Sequence, residues 1–399
     1  MRSEMRWAAE AADASAPGRG RLEGWRAPTR RVLLNCALAL ASSITACGVG
    51  ELIVRELAPQ ELIIKRPDVW KAVDTLGWVH QANLHTTINT GERTVHVVTD
   101  GEGFRVGRAG RPAARHHILL LGDSFMEALQ VEYEQTLAGL LETRLPARLG
   151  APVAVVNTGV GGWDPPQYLL QARALLGQRH YDLVLVSLYV GNDIVLTRPD
   201  RFPPRVPAEV HPFRVPRNLS RTELVDAVFY PINDFLEVRS QLFVFLKNKT
   251  KTLAMRLHLT GLYFPHEFYR SEVTSPRWQV TADICRDIAK LGERRGIRTL
   301  FFMIPTRYQV VPTVFAAYLR GFHIDSAQVD LDQPSRLLGE ALRKQRLRVL
   351  DLLPVFRAAT GQGEVIYGTV DPHLAPAGHD ELERLLEPTV ADLLAAREH

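Results

Sequence analysis

Five short apolar runs, His117–Leu121, Val153–Val156, Leu183–Val190, Thr299–Met303 and Arg348–Leu352, recur along this chain with helix-patterned stretches between them. Runs of this length and composition are the mark of strands buried on both faces. The intervening stretches Thr136–Leu145, Pro166–Leu176, Trp278–Arg295, Pro334–Lys344 and Ala375–Ala396 carry apolar residues at helical spacing. Strands alternating with helices predict an α/β fold, a parallel sheet covered by helices on both faces. In such sheets a site forms at the carboxyl ends of the strands. With 399 residues, 46% hydrophobic and 23% charged, the chain can bury a core of that size. Length by itself allows two or three domains; the single alternating series favours one large domain carrying an insertion.

The alternation lapses between about residues 194 and 280. This stretch holds 12 of the chain's 31 aromatic residues, among them Phe202, Phe213, Phe229, Tyr230, Phe243, Phe245, Tyr263, Phe264 and Trp278. A flexible linker is poor in aromatics, so an ordered insertion is expected, acting either as packing beside the sheet or as a rim over the site. Ahead of the series, residues 55–115 mix strand-like runs such as Thr94–Val98 with turns such as Asp100-Gly101-Glu102-Gly103. They read as an irregular preamble packed on the main domain, 116–399.

The amino-terminal part has a different character. Residues 1–31 carry seven Lys/Arg against four Asp/Glu and no apolar period, and Val32–Gly50 then runs nineteen residues without a charge. About twenty apolar residues span a bilayer core, and a cationic flank ahead of such a run is the pattern of an export signal. The Lys/Arg excess keeps the first 31 residues in the cytoplasm and sends the rest to the extracytoplasmic, periplasmic side. The segment 32–54 is therefore expected as a transmembrane signal anchor of a single-pass protein. Two other patterns coexist with it. Ile44-Thr45-Ala46-Cys47 resembles a lipobox, which would make Cys47 a lipidated first residue, and Thr29-Arg30-Arg31 loosely resembles a twin-arginine signal.

The net charge is +4, of which the first 31 residues supply three, so the exported body is almost neutral and nucleic acid is not an expected partner. Three cysteines, Cys36, Cys47 and Cys285, show neither disulfide nor zinc spacing. No Walker or dinucleotide loop follows a suitable strand, and no metal or other cofactor is expected.

Each strand end delivers residues fit for a site. Gly122-Asp123-Ser124 puts a serine at a tight strand-to-helix turn; Asn157-Thr158-Gly159-Val160-Gly161-Gly162 lets backbone approach a ligand; Gly191-Asn192-Asp193 offers an amide donor; Asp371-Pro372-His373 supplies a carboxylate and an imidazole before the last helix. Singly, each is equally well a cap, a turn or a solvated loop. Together, each follows its own strand. In extended backbone residues i and i+2 share a side, and Pro372 biases Asp371 toward that conformation, so Asp371 can reach His373.

The order Ser, Gly, Asn, His resembles the SGNH/GDSL hydrolase superfamily over residues 116–396, interrupted by the insertion. The single amino-terminal membrane segment and the Gly103-Phe104-Arg105 run ahead of the serine block look like an exported, membrane-anchored branch of it. The resemblance implies a flavodoxin-like three-layer α/β/α fold. It implies Ser124 as nucleophile, Asp371 and His373 completing a triad, and Gly162 and Asn192 joining the Ser124 N–H as oxyanion donors. The commoner family spacing is Asp-x-x-His, whereas this chain has Asp-x-His, a spacing also familiar from carbohydrate O-acetyltransferase relatives. Glu364 is the alternative carboxylate and His379 the alternative base.

The expected function is hydrolysis of acyl, foremost acetyl, esters of a cell-envelope carbohydrate or similar substrate through an acyl-enzyme. Transfer of the acyl group to a sugar hydroxyl by the same residues is the second reading. A non-catalytic carbohydrate-binding scaffold is the third.

Overall fold

The computed structural model describes residues 26–60, 68–195, 232, 233, 235–237, 239–257 and 265–396. The chain divides after Ile53 into two compact units. Helix α1, Arg26–Leu57, is the candidate membrane span among the described residues; eighteen consecutive residues of its stretch Arg31–Leu57 have a mean hydropathy of 1.9, and none of those eighteen is buried. That length and composition suffice to cross a bilayer core.

The second unit opens with an antiparallel hairpin, β1 (Trp70–Val73) and β2 (Gly77–His80). An eight-stranded sheet follows, made of β3 (His85–Asn89), β4 (Thr94–Thr99), β5 (Arg105–Val106), β6 (His116–Leu121), β7 (Val153–Asn157), β8 (Leu183–Tyr189), β9 (Arg298–Ile304) and β10 (Val349–Asp351). Its order is β10-β9-β8-β6-β7-β5-β4-β3. The five strands expected from the sequence pair in parallel, and taken alone they run second, first, third, fourth, fifth from one edge, the flavodoxin-like order. The point where that order reverses lies at β6 and β8.

The helices used below are α2 (Ser124–Glu127), α3 (Leu137–Leu149), α4 (Pro165–Gln178), α5 (Gln241–Arg256), α6 (Arg277–Glu293), α7 (Arg307–Val310), α8 (Pro312–Phe322), α9 (Gln333–Lys344), α10 (Leu353–Gly361) and α11 (Pro376–Ala395). Because side chains alternate across a strand, the central strands feed two cores at once. Ile118 and Leu120 of β6, with Leu183 and Leu185 of β8, pack against α3, α10 and α11. Leu119 and Leu121, with Val184 and Val186, pack against α4, α6 and α9 on the opposite face. Three layers result. A central strand buried on both faces has no polar positions to spare, which is why these runs read as continuous apolar stretches.

The preamble departs from the irregular segment read from the sequence. Residues 85–106 add β3, β4 and β5 to the sheet as antiparallel strands beyond β7, so the complete sheet is mixed rather than purely parallel. In β3 and β4, Ile88, Val95 and Val97 are fully buried while the residues between them are mostly exposed. Such half-buried alternation suits an antiparallel sheet margin and gives a weaker sequence signal than a run buried on both faces.

Of the insertion, Phe202, Phe213, Phe229, Tyr230, Tyr263 and Phe264 lie outside the described residues. Within them, α5 is a sixteen-residue helix, and Phe268 is fully buried against Phe315, Leu319 and Val329. Trp278 joins the core beside α4 and α6.

Candidate active site

At the end of β6 the chain turns within two residues. A side chain on Gly122 would place its first carbon 2.4 Å from Met126 and 3.1 Å from Ser187, so glycine is the only residue the turn admits. Asp123 then caps the single-turn helix α2 by accepting the Phe125 N–H at 2.9 Å, and Ser124 is the first residue of that helix. The turn closes with Ala128 in the left-handed region at φ 51°, its N–H donating to the Ser124 carbonyl. Ser124 is half-exposed while Phe125 to Gln130 are buried, so the hydroxyl is presented on a tightly held support.

The neighbouring strands supply the flanking loops. After β7, Asn157 donates from Nδ2 to the Met126 carbonyl at 2.7 Å and accepts the Gly159 N–H, fastening the glycine-rich loop to α2. Gly159 has no room for a side chain, because its first carbon would lie 2.4 Å from the Glu127 nitrogen. Gly162, at φ 77°, is exposed and lies against Trp78. Trp78 of β2 donates its indole N–H to the Gly161 carbonyl, and Trp163 donates in turn to the Trp78 carbonyl.

After β8, Asp193 is fully buried and accepts the Tyr189 N–H at 2.9 Å and the Tyr168 hydroxyl at 3.0 Å, which leaves Asn192 exposed at the tip. Since β6 lies between β7 and β8, the loops bearing Gly162 and Asn192 stand on either side of Ser124.

The fourth segment joins α10 to α11. His373 Nε2 lies 2.8 Å from Ser124 Oγ, and His373 Nδ1 lies 2.6 Å from Asp371 Oδ1. The backbone N–H of His373 donates to the same Asp371 oxygen at 2.8 Å, which folds the Asp-Pro-His segment into a compact hook. An ionised carboxylate can only accept, so the imidazole proton belongs on Nδ1 and Nε2 is free to accept from the Ser124 hydroxyl. The ring is steadied by Phe125, 4.8 Å away between centroids, which itself stacks on Tyr189.

Burial pushes the Asp371 carboxyl up, but the hydrogen bonds and positive charge of His373, with help from the Gln130 amide, outweigh it and hold the group below the usual carboxylate range. The Gln130 Nε2 is 3.1 Å from His373 Nδ1, so this amide lies alongside the pair. Asp123 behaves oppositely: burial raises it to about 6, against the opposing effects of the Phe125 N–H, His373 and Asn192. Asp193 is pushed well above its ordinary value by burial and by Asp123.

The structure thus gathers Ser124, Asp371 and His373 by direct contact and sets Gly162 and Asn192 on the adjoining loops. It corrects the alternatives. His379 lies on α11, 1% exposed, and burial next to Arg105 and His373 lowers it to about 3, so it stays neutral and enclosed. Glu364 is exposed, and the Nδ1 position is taken by Asp371. Sequence reasoning did not find Trp78 or Gln130, whose sites become evident only once hairpin and loop are folded against each other. Among the described residues, no three His, Cys, Asp or Glu side chains gather in a metal-binding group.

No family model matches the chain, and no curated protein does. Among solved structures it is similar to TesA, at 16% identity over 70% of this chain and 99% of that one, with a TM-score of 0.35. It is similar to a lipase/acylhydrolase from Enterococcus faecalis at 14% identity over 69% and 96%, TM-score 0.35. The esterase AlinE4, described as of the SGNH-hydrolase family, is 14% identical over 70% and 97%, TM-score 0.31. Likeness at this level carries no argument about activity, and the functional reading rests on the residues of this chain.

Proposed function

We propose that this protein is a serine-dependent ester hydrolase of the SGNH/GDSL type, held by α1 in the cytoplasmic membrane with its catalytic unit on the periplasmic side. The observation that carries the reading is the relay from Ser124 Oγ through His373 to Asp371, with contacts of 2.8 and 2.6 Å. A serine hydroxyl is a weak nucleophile until a base removes its proton, and imidazole is the side chain whose basicity suits that task near neutral pH.

In this mechanism Ser124 Oγ attacks the acyl carbon as its proton passes to His373 Nε2. Asp371 fixes the ring and stabilises the imidazolium without taking the proton. The Ser124 N–H, the Gly162 N–H and the Asn192 amide are assigned to the oxyanion; losing one such donor typically raises the barrier by about 3 kcal/mol. His373 hands its proton to the departing alkoxide, leaving an acyl-serine. Water, deprotonated by the same ring, releases the acid and restores the serine.

The substrate proposed is an acyl ester, foremost an acetyl ester, of a cell-envelope carbohydrate. The Asp371-x-His373 spacing favours one further reading, transfer of the acyl group to a sugar hydroxyl in place of water. Incubation of the full chain with activated acetyl and butyryl esters tests the first reading, and equal inactivity of wild type and Ser124→Ala across the panel would sink it. Acylated sugar formed when an acceptor is present selects the second.

A further inference from the structure

We infer that Arg105, in the segment ahead of the α/β core, is the positioning residue that holds both the Ser124 turn and Gln130 in register with His373. The inference rests on the proposed serine chemistry.

A one-turn helix leaves its carbonyls without intrahelical donors. In α2 two of them are served from neighbouring strands. Asn157 of β7 donates to the Met126 carbonyl at 2.7 Å. Its register partner on β5, Arg105, donates from one guanidinium nitrogen to the Glu127 carbonyl at 2.7 Å and to the Ala128 carbonyl, and from the other to the Val131 carbonyl at 2.6 Å. One planar group therefore clasps three carbonyls of a five-residue turn that reverses through left-handed Ala128. The geometry uses the fork of the guanidinium, which the single ammonium of lysine does not reproduce.

The clasp has two ends. Toward the amino terminus, the Glu127 and Ala128 carbonyls fix the exit of α2, whose first residue is Ser124. Toward the carboxyl terminus, the Ala128 and Val131 carbonyls bracket Leu129 and Gln130, and the Gln130 amide stands 3.1 Å from His373 Nδ1. A shift of this turn would displace the nucleophile and the amide beside the base together.

Arg105 is 1% exposed, and its Nε finds no hydrogen-bond partner, so the charge is buried at considerable cost. Burial lowers its pKa to about 10, which still leaves it cationic at neutral pH. An apolar residue would fill the same space without that cost but would leave the Glu127 and Val131 carbonyls unpaired and the Ala128 carbonyl with only the Val131 N–H at 3.3 Å.

The test compares full-length wild type, Arg105→Ala, Arg105→Lys and Arg144→Met in detergent. Arg144 of α3, paired with Asp380 and Glu383 of α11, serves as a destabilising control outside the turn. The readouts are the rate of Ser124 labelling by a fluorophosphonate, kcat and KM on p-nitrophenyl acetate, and the melting temperature. Arg105→Ala is expected to label and turn over about tenfold to a hundredfold more slowly. KM should be little changed, and guanidinium ion should restore part of the labelling rate. Arg105→Lys should fall between Ala and wild type, and Arg144→Met should label at the wild-type rate.

Wild-type labelling by folded Arg105→Ala overturns the inference, as does equal slowing of Arg144→Met or failure of guanidinium to restore the rate. Should Arg105→Ala not fold, Arg105→Lys decides, and wild-type labelling by it overturns the inference. Absence of labelling in wild type removes the proposed serine chemistry itself, a distinct result.

Discussion

Trp78 donates its indole N–H to the carbonyl of Gly161 at 2.8 Å, and this bond ties the first hairpin of the catalytic unit to the loop that presents Gly162. The adjacent Gly162 sits at φ 77°, a conformation that the loop must be held in for its N–H to aim consistently. Trp78→Phe removes the bond together with the outer indole ring that meets Gly162. The expected outcome is a several-fold fall in kcat with KM unchanged, and a loss of about 1 kcal/mol in thermal unfolding. Unchanged kcat in a variant that has lost that stability would separate the hairpin from catalysis.

Asn192 is exposed at the tip of a loop whose shape is set by the buried Asp193. Removing its amide leaves that framework in place. Asn192→Ala is expected to lower kcat about a hundredfold or more with little effect on KM or melting temperature, as befits a donor used chiefly in the transition state. Steady-state kinetics on one activated ester suffice to check it; a rise in KM at constant kcat would assign Asn192 to ground-state binding instead.

Asp371→Asn offers an amide where His373 meets a carboxylate, and the ring then loses its fixed tautomer. A fall in kcat on the order of a thousandfold or more is expected. The pH dependence has a definite sign. The folded-state value of Asp371 lies below its unfolded value, so its contribution to stability is present in full above about pH 4, the unfolded range, and is lost as pH falls through the lower folded value. The melting-temperature difference between wild type and Asp371→Asn should therefore shrink on acidification below pH 4. A difference that is flat across that range would contradict the ion pair.

Asp164 titrates the other way. It precedes α4 and is raised to about 6 by burial, opposed only by the backbone N–H groups of Gln167 and Asp164. A carboxyl with a raised folded value favours the folded state most when protonated, so its effect becomes unfavourable as pH climbs from about 4 to about 6. Asn retains the oxygen needed for capping and carries no charge. Asp164→Asn should be more stable than wild type by about 3 kcal/mol at pH 8, with the difference vanishing near pH 4. Melting curves at the two pH values decide the point.

The strands of the parallel core were legible because burial on both faces leaves an unbroken apolar run, as at Ile118 to Leu121. The Ser124 and His373 segments were legible because both sit beside such elements and keep recognisable neighbours. Other parts were hidden for physical reasons. β5 is two residues long and carries no period of its own, so the Gly103-Phe104-Arg105 run stands out in sequence only through the resemblance, and nothing local shows that the guanidinium is buried. Gln130 and Trp78 act across separations of 243 and 83 residues, and nothing local marks such partners. His379 shows the reverse, since a histidine near the right place in sequence proved to be a neutral core residue.

The pairing of β5 with β7 also bears on where the self-sufficient folding unit begins. A chain starting at His116 would hold every residue proposed for the chemistry, yet it would strip Ile88 and Val97 from Leu129 and Trp78 from Trp163, baring apolar surface. Such surface recruits other chains. It would also lack Glu92, whose carboxylate receives the Val370 N–H beside Asp371, together with Trp78 and Arg105. The smallest fragment worth expressing without α1 accordingly starts ahead of Trp70, and a truncation at His116 should yield aggregated, inactive protein.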